Sequence, residues 1–204
     1  SLATLTTTFG TEFARAKRAK GLVDFNDLEH FCLTILLADG ATPADPTPSP
    51  VALALREKFA EVLVDEYQDT NAVQEAIIRL VASPERPNLF LVGDVKQSIY
   101  RFRLAEPELF LAKYRRYPLI AGGRERRIDL VRNFRSRAGI LQAINFIFRQ
   151  LMAPAVAELG YGLAEQLYPG ADYPAAAVKT LAGPVEVHLI ERQDPEPGPA
   201  GTAD

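Results

Sequence analysis

The chain has 204 residues, 48% of them apolar and 24% charged, with a net charge of −3, an ordinary globular composition for one large domain or two small ones. That balance gives no overall basic surface to advertise nucleic acid, and no apolar run approaches the roughly 18 to 20 residues a membrane helix requires. The single cysteine, Cys32, excludes a disulfide framework and a multi-cysteine zinc site and fits a reducing cytoplasm, and His30 and His188 stand too far apart for metal spacing.

The chain begins at Ser1 without a signal-like apolar stretch and its one methionine is Met152, so it reads as a piece of something longer. From 24 to 38, DFNDLEHFCLTILLA sets apolar residues at Phe25, Leu28, Phe31, Cys32, Ile35 and Leu36, a 3,4 rhythm that predicts a helix N-capped by Asp24. Burial accounts for Phe31, Leu33 and Ile35, core packing for Cys32, and a structural or solvent-facing place for both histidines. Four prolines in 39–50 make an exposed loop. A short helix over 51–60 leads into a strand at 62–64, and a helix over 71–81 follows, with Asp69 as its expected N-cap and Thr70 competing.

NLFLVGD (88–94) then repeats the pattern of an apolar strand ending in an acid. Two buried strands separated by a helix predict a parallel α/β sheet with Asp65 and Asp94 on one edge, where open α/β sheets hold their ligands. Beyond it the pattern predicts a helix over 104–117, a basic loop over 122–127, a strand over 128–131, an amphipathic helix over 136–151, a half-buried strand over 185–191 and a disordered tail. The Gly122-Gly123 pair is the expected domain boundary.

Three stretches carry chemistry. In VLVDEYQDTN (62–71) an apolar strand runs into Asp65 and Glu66. Acids at a strand mouth are either solvated turn residues or the pair a nucleotide hydrolase needs, an aspartate for Mg²⁺ and a glutamate to deprotonate the attacking water. In LVGDVKQSIYRFR (91–103), Gln97 stands where an amide can contact a terminal phosphate, and Tyr100 and Phe102 alternate with Lys96, Arg101 and Arg103. Such rings are either core residues or stacking platforms for single-stranded nucleic acid. Asp94 either braces Gln97 or the magnesium shell or simply caps the turn. Twelve basic residues against four acidic ones between Lys96 and Arg137 make a local +8 in this acidic chain, a binding face or a solvated one. In LVRNFRSR (130–137), Arg135 follows a strand and precedes a helix, the place of a surface residue or of a guanidinium reaching a phosphoryl group across an interdomain cleft.

VLVDEYQDTN, LVGDVKQSIYRFRLAEPELF and DLVRNFRSR, in this order, resemble motifs II, III and IV of the UvrD/Rep/PcrA class of superfamily-one DNA helicases, with VDFNDLEHFCLTIL resembling the segment before motif II. Their wording is nearest to the AddA type, the helicase-nuclease subunit of AddAB complexes; GDVKQSIYRFR replaces the commoner GDxxQSIYxWRGA. The resemblance spans about residues 22 to 151. It implies a P-loop NTPase, RecA-like α/β fold, with a parallel sheet flanked by helices: the end of an inserted helical subdomain at 1–22, the second half of a first motor domain at 23–122, the start of a second at 123–191 and a disordered tail at 192–204.

The resemblance also implies roles. Asp65 would hold Mg²⁺ and Glu66 would be the catalytic base; Gln97 would sense the γ-phosphate. Tyr100 and Phe102, flanked by Arg101 and Arg103, would stack on single-stranded bases, Phe134 would lie against adenine, and Arg135 would be the γ-phosphate arginine. Cofactors would be ATP and Mg²⁺, partners single-stranded and duplex-end DNA and an AddB-like subunit, and the work recombinational repair of double-strand breaks. No GxxxxGK[ST] phosphate loop occurs, so the chain alone is expected not to hydrolyse ATP. The alternatives are a UvrD/PcrA-like helicase without nuclease and a non-catalytic nucleic-acid-binding module.

Overall fold

The first four helices start where the sequence supplies caps. In the structure, a computed structural model that describes residues 1–153, 160–174 and 183–190, α1 (Leu2–Lys20) is capped by the Ser1 hydroxyl and ends at Gly21 in the left-handed region (φ 63°). α2 (Phe25–Leu36) opens with a capping box in which Asp24 and Asp27 each accept the other's amide at 2.9 Å. Lys17 of α1 donates to both carboxylates, at 2.8 Å to Asp24 and 2.6 Å to Asp27, and so hooks the first helix to the second. α3 (Pro50–Lys58) has Ser49 as its cap and proline in its first turn.

α4 (Ala72–Val81) is capped by Asn71, with Gln74 completing a second capping box. The cap expected at Asp69 or Thr70 therefore moves downstream. The reason is local: residues Tyr67–Asp69 close a 3₁₀ turn of their own with Thr70 as its C-cap, and Asn71 is the residue whose side chain reaches the Gln74 amide. Leu33, Leu36, Ala52, Ala76 and Leu80 from α2, α3 and α4 form the core, and Cys32 packs against it, as its place in the rhythm implied. Burial raises the Cys32 thiol pKa, consistent with a packing role.

β1 (Val62–Val64) and β2 (Leu89–Leu91) pair in parallel, Val62 opposite Leu89 and Val64 opposite Leu91, with α4 as the crossover between them. The expected parallel sheet is present, but its strands are not buried on both faces: Leu63 is 68% and Phe90 55% exposed. α2 differs in the same way, because Phe25, Leu28, Phe31 and Ile35 are exposed while Leu33 and Leu36 are buried. A helix apolar nearly all round has two candidate stripes, and only the neighbours present decide which is covered.

α5 (Pro107–Arg116) packs on the turn that follows β1. Its Lys113 donates to the Tyr67 hydroxyl (2.5 Å) and to Glu75 (2.7 Å), and Tyr67, itself buried, donates to Glu75 at 2.6 Å. Burial and the neighbouring carboxylate push the Tyr67 phenol far above its ordinary value, so it remains a donor throughout the accessible pH range.

The chain divides into two units after Ile128. In the second, β3 (Arg132–Asn133) pairs in parallel with β4 (Tyr168–Pro169), and α6 (Ala138–Leu151) follows β3. The strand expected over 128–131 thus lies further along, at the position where residues 168–169 offer a partner; a strand is settled by pairing as much as by its own pattern. Asn145 of α6 is buried and fully engaged: its amide donates to the Leu167 carbonyl, and its oxygen accepts from Tyr161 and from the Leu167 amide. Residues 185–190 alternate but form no strand, since nothing among the described residues pairs with them. Glu191 and the tail at 192–204 lie outside the described residues.

Candidate functional site

β1 ends in Asp65 and Glu66, both exposed at the strand mouth. Asp65 Oδ1 accepts the Glu66 amide at 2.9 Å. Glu66 adopts the left-handed conformation (φ 51°, ψ 40°), which costs a non-glycine residue on the order of 1 kcal/mol or more and tends to persist where function over-determines it. Only one other described non-glycine residue has a positive φ, Leu104 (φ 66°), at the end of the aromatic turn.

The strained turn lets Gln68 fold beneath Glu66. Gln68 is 1% exposed; its Nε2 donates to Glu66 Oε2 at 2.8 Å, and its Oε1 accepts the backbone amide of Asp94, at the end of β2, at 2.9 Å. This amide orientation is the one the partners dictate, since a carboxylate can only accept and a backbone N–H can only donate. Asp69, next in the turn, has Oδ1 buried with no hydrogen-bond partner among the described residues; burial, with Glu66 nearby, raises its carboxyl above the usual range.

Asp94 both caps the turn and contacts Gln97. Its Oδ1 accepts the Lys96 amide at 3.1 Å and so caps a 3₁₀ turn (Val95–Gln97), and its Oδ2 accepts from Gln97 Nε2 at 3.1 Å. Glu66, Gln68, Asp94 and Gln97 therefore form one continuous hydrogen-bonded chain across the ends of both strands. Lys96 turns inward to pair with Asp94 at 2.8 Å instead of joining the basic strip.

Tyr100 and Phe102 follow at the start and middle of a further 3₁₀ turn (Arg101–Arg103). Both rings are exposed, 38% and 77%, and meet at a centroid distance of 5.9 Å. Among the described residues neither ring lies in the core. Arg103 lies over both rings, at 5.5 and 5.7 Å from their centroids, and Arg101 is exposed on the same turn.

In the second unit, Asn133 at the end of β3 accepts the amides of Arg135 (2.9 Å) and Ser136 (2.8 Å), which fixes the turn into α6 and leaves the Arg135 side chain exposed. Phe134 stands beside it, 66% exposed. A Cβ on Gly170 would lie 2.7 Å from the Phe134 ring, so glycine there is what admits the ring. His30 and His188 are both exposed, His30 bonded to the Asn26 carbonyl and His188 beside Glu186.

Sequence reasoning did not single out Gln68, Gly93 or Asn133. Gln68 follows Glu66 by two residues in a polar run, which marks a turn but not a buried amide bridging two strands. No group of three or more potential metal ligands occurs among the described residues. A magnesium ion at Asp65 would take its remaining ligands from phosphate oxygens and water, the usual arrangement for this ion. The exposed carboxylate oxygens of the strand end suit such a hard cation.

The model of the UvrD/REP helicase N-terminal domain matches residues 2–118. The chain belongs to the UvrD/REP helicase family. It is 58% identical over 193 residues to the AddA-type ATP-dependent helicase/nuclease subunit of Desulforudis audaxviator (strain MP104C), covering 93% of this chain and 15% of that protein. Against the protein of the same name from Desulforamulus reducens (strain ATCC BAA-1160 / DSM 100696 / MI-1), identity is 56% over 194 residues, 95% of this chain and 15% of the relative. Its namesake from Pelotomaculum thermopropionicum (strain DSM 13744 / JCM 10971 / SI) is 53% identical over 205 residues, 98% of this chain and 16% of the relative. This UvrD/REP chain thus spans about 15% of the length of these relatives. No helix among its described residues is long and apolar enough to cross a membrane.

Proposed function

We propose that this chain is the strand-end portion of an ATP-driven DNA motor of the AddA helicase/nuclease type, the name its relatives carry. In a full-length chain that motor hydrolyses ATP, moves 3′ to 5′ on single-stranded DNA and unwinds duplex ends, working in the cytoplasm with an AddB-like subunit to process double-strand breaks. The fold reading that goes with it is RecA-like: 1–22 from an inserted helical subdomain, 23–122 from the first motor domain and 123–191 from the second.

One observation carries the proposal. A carboxylate pair ends one parallel strand, is hydrogen-bonded through to Gln97 at the end of the next, and is followed by exposed, arginine-covered rings. Nucleotide chemistry and base stacking are thus drawn from one short stretch of chain. Magnesium held at Asp65 would neutralise charge on the phosphates of ATP. Glu66, with Oε2 held by Gln68, takes the proton of the attacking water on its other oxygen. Gln97 contacts the terminal phosphate, and Arg135 supplies a guanidinium against the charge of the transferring group. Phe134 offers its exposed ring to adenine. Tyr100 and Phe102 stack on successive bases while Arg101 and Arg103 meet the phosphates.

A non-catalytic binding module is disfavoured, because drift would not spare Asp65, Glu66, Gln97 and Arg135 together. The relatives' name favours the nuclease-bearing type over a plain helicase. In the full-length protein, Glu66→Gln is expected to lower DNA-stimulated ATP turnover by about a hundredfold or more while ATP still binds. Unchanged turnover overturns the proposal.

A further inference from the structure

Glu66, exposed at the strand mouth, is held by the buried side chain of Gln68. Gln68 is nearly inaccessible, yet both ends of its amide are committed: one to the Glu66 carboxylate, the other to the main chain of Asp94 on the neighbouring strand. Its own carbonyl also lies 3.5 Å from the Ser98 hydroxyl, between Gln97 and the aromatic turn. Gly93 has been kept clear for it. The φ of Gly93 is not in the left-handed region, so conformational freedom does not explain this glycine. A Cβ there would stand 2.6 Å from Gln68 Oε1, 3.0 Å from the Phe110 ring and 3.2 Å from the Gln68 amide nitrogen.

We infer that Gln68 is a positioning residue for ATP hydrolysis: it aims the Glu66 carboxylate and, through the Asp94 main chain and side chain, ties that aim to the placement of Gln97 and the ring pair beyond it. The inference rests on the reading of Glu66 as base and of Tyr100 and Phe102 as the DNA platform. The physical logic is that a carboxylate on an exposed, strained turn has many orientations, and one buried donor selects among them. Because the same amide accepts from the second strand, a shift of residues 94–100 on binding DNA moves the group that holds Glu66.

The test uses the full-length helicase/nuclease protein with its partner subunit. Gln68→Met keeps the length of the side chain and removes its hydrogen bonds to Glu66, to the Asp94 amide and, at 3.3 Å, to Asp69, while Gly93→Ala leaves Gln68 in place and displaces its amide. Each is expected to lower DNA-stimulated kcat about tenfold or more, with KM for ATP and affinity for an oligo-dT probe changed less than about threefold. The ratio of DNA-stimulated to basal turnover should fall correspondingly. A merely structural Gln68 would reduce the amount of active enzyme, lowering basal and stimulated rates alike and leaving the ratio intact, and that result overturns the inference. If Gln68→Met does not fold, Gly93→Ala decides by the same ratio. Glu66→Gln measured alongside separates the two levels. Its loss of turnover with an unchanged ratio in the Gln68 or Gly93 variant sinks the inference alone, whereas its full activity sinks the base assignment and the inference with it.

Discussion

Tyr100 and Phe102 illustrate what a single side chain's surroundings decide. Their alternation with arginines fits a base-stacking platform or a buried pair, and in this chain both rings are exposed. Because the rings lie side by side, they would act on DNA as a unit under the proposed function. In the full-length protein Tyr100→Ala and Phe102→Ala should each weaken single-stranded DNA binding by about 1 to 3 kcal/mol. The double variant should lose less than the sum, as expected for neighbours in contact. Fluorescence anisotropy with a labelled oligonucleotide measures all three; unchanged affinity would remove the rings from the DNA path. Glu66 shows the limit of legibility at this scale. Its identity as a strand-end acid is readable, but its left-handed backbone is not, nor that its neighbour Gln68 is buried and held by the Asp94 amide from beyond the second strand.

At the scale of elements, capping chemistry makes α2 legible: Asp24 followed by Asp27 is a local signal, and both side chains behave as the pattern requires. The α4 cap is not legible in the same way, because Asp69, Thr70 and Asn71 are all good capping residues and the 3₁₀ turn before them makes the choice. The α1–α2 hook has a pH signature. Hydrogen bonds from Lys17, then each other's backbone amides, hold the Asp24 and Asp27 carboxyls below their ordinary value of 3.8, and Lys17 is raised above 10.5 by the same contacts. A carboxylate with a lowered native pKa contributes stability that is complete above 3.8 and lost as pH falls through the lower native value. The lysine's share is complete below 10.5 and lost as pH rises past its raised value. The hook should therefore hold across neutral pH and release only in strong acid or strong base. Following the Asp24 and Asp27 amide signals by NMR against pH should give acid midpoints below 3.8; midpoints at or above 3.8 would mean the hook does not form.

At the scale of the whole molecule, the apolar faces of β1, β2 and α2 stay exposed in a chain that spans about 15% of its relatives' length. Its sequence contains no glycine-rich phosphate loop, so the chain by itself should bind Mg-ATP weakly. Calorimetry is expected to show no binding in the micromolar range, and micromolar affinity would mean that the residues present make a phosphate cradle unaided. The sequence by itself determined the order of helices and strands from residue 24 to 151, the parallel pairing implied by strand, helix, strand, and the family, because apolar rhythm, caps and contiguous motifs are local. The tertiary structure alone decided which apolar stripe is covered, where β3 finds its partner, and that Gln68, beneath Gly93, joins Glu66 to Asp94. Those are contacts between residues far apart in the chain, and a periodic pattern carries no information about which distant surface it will meet.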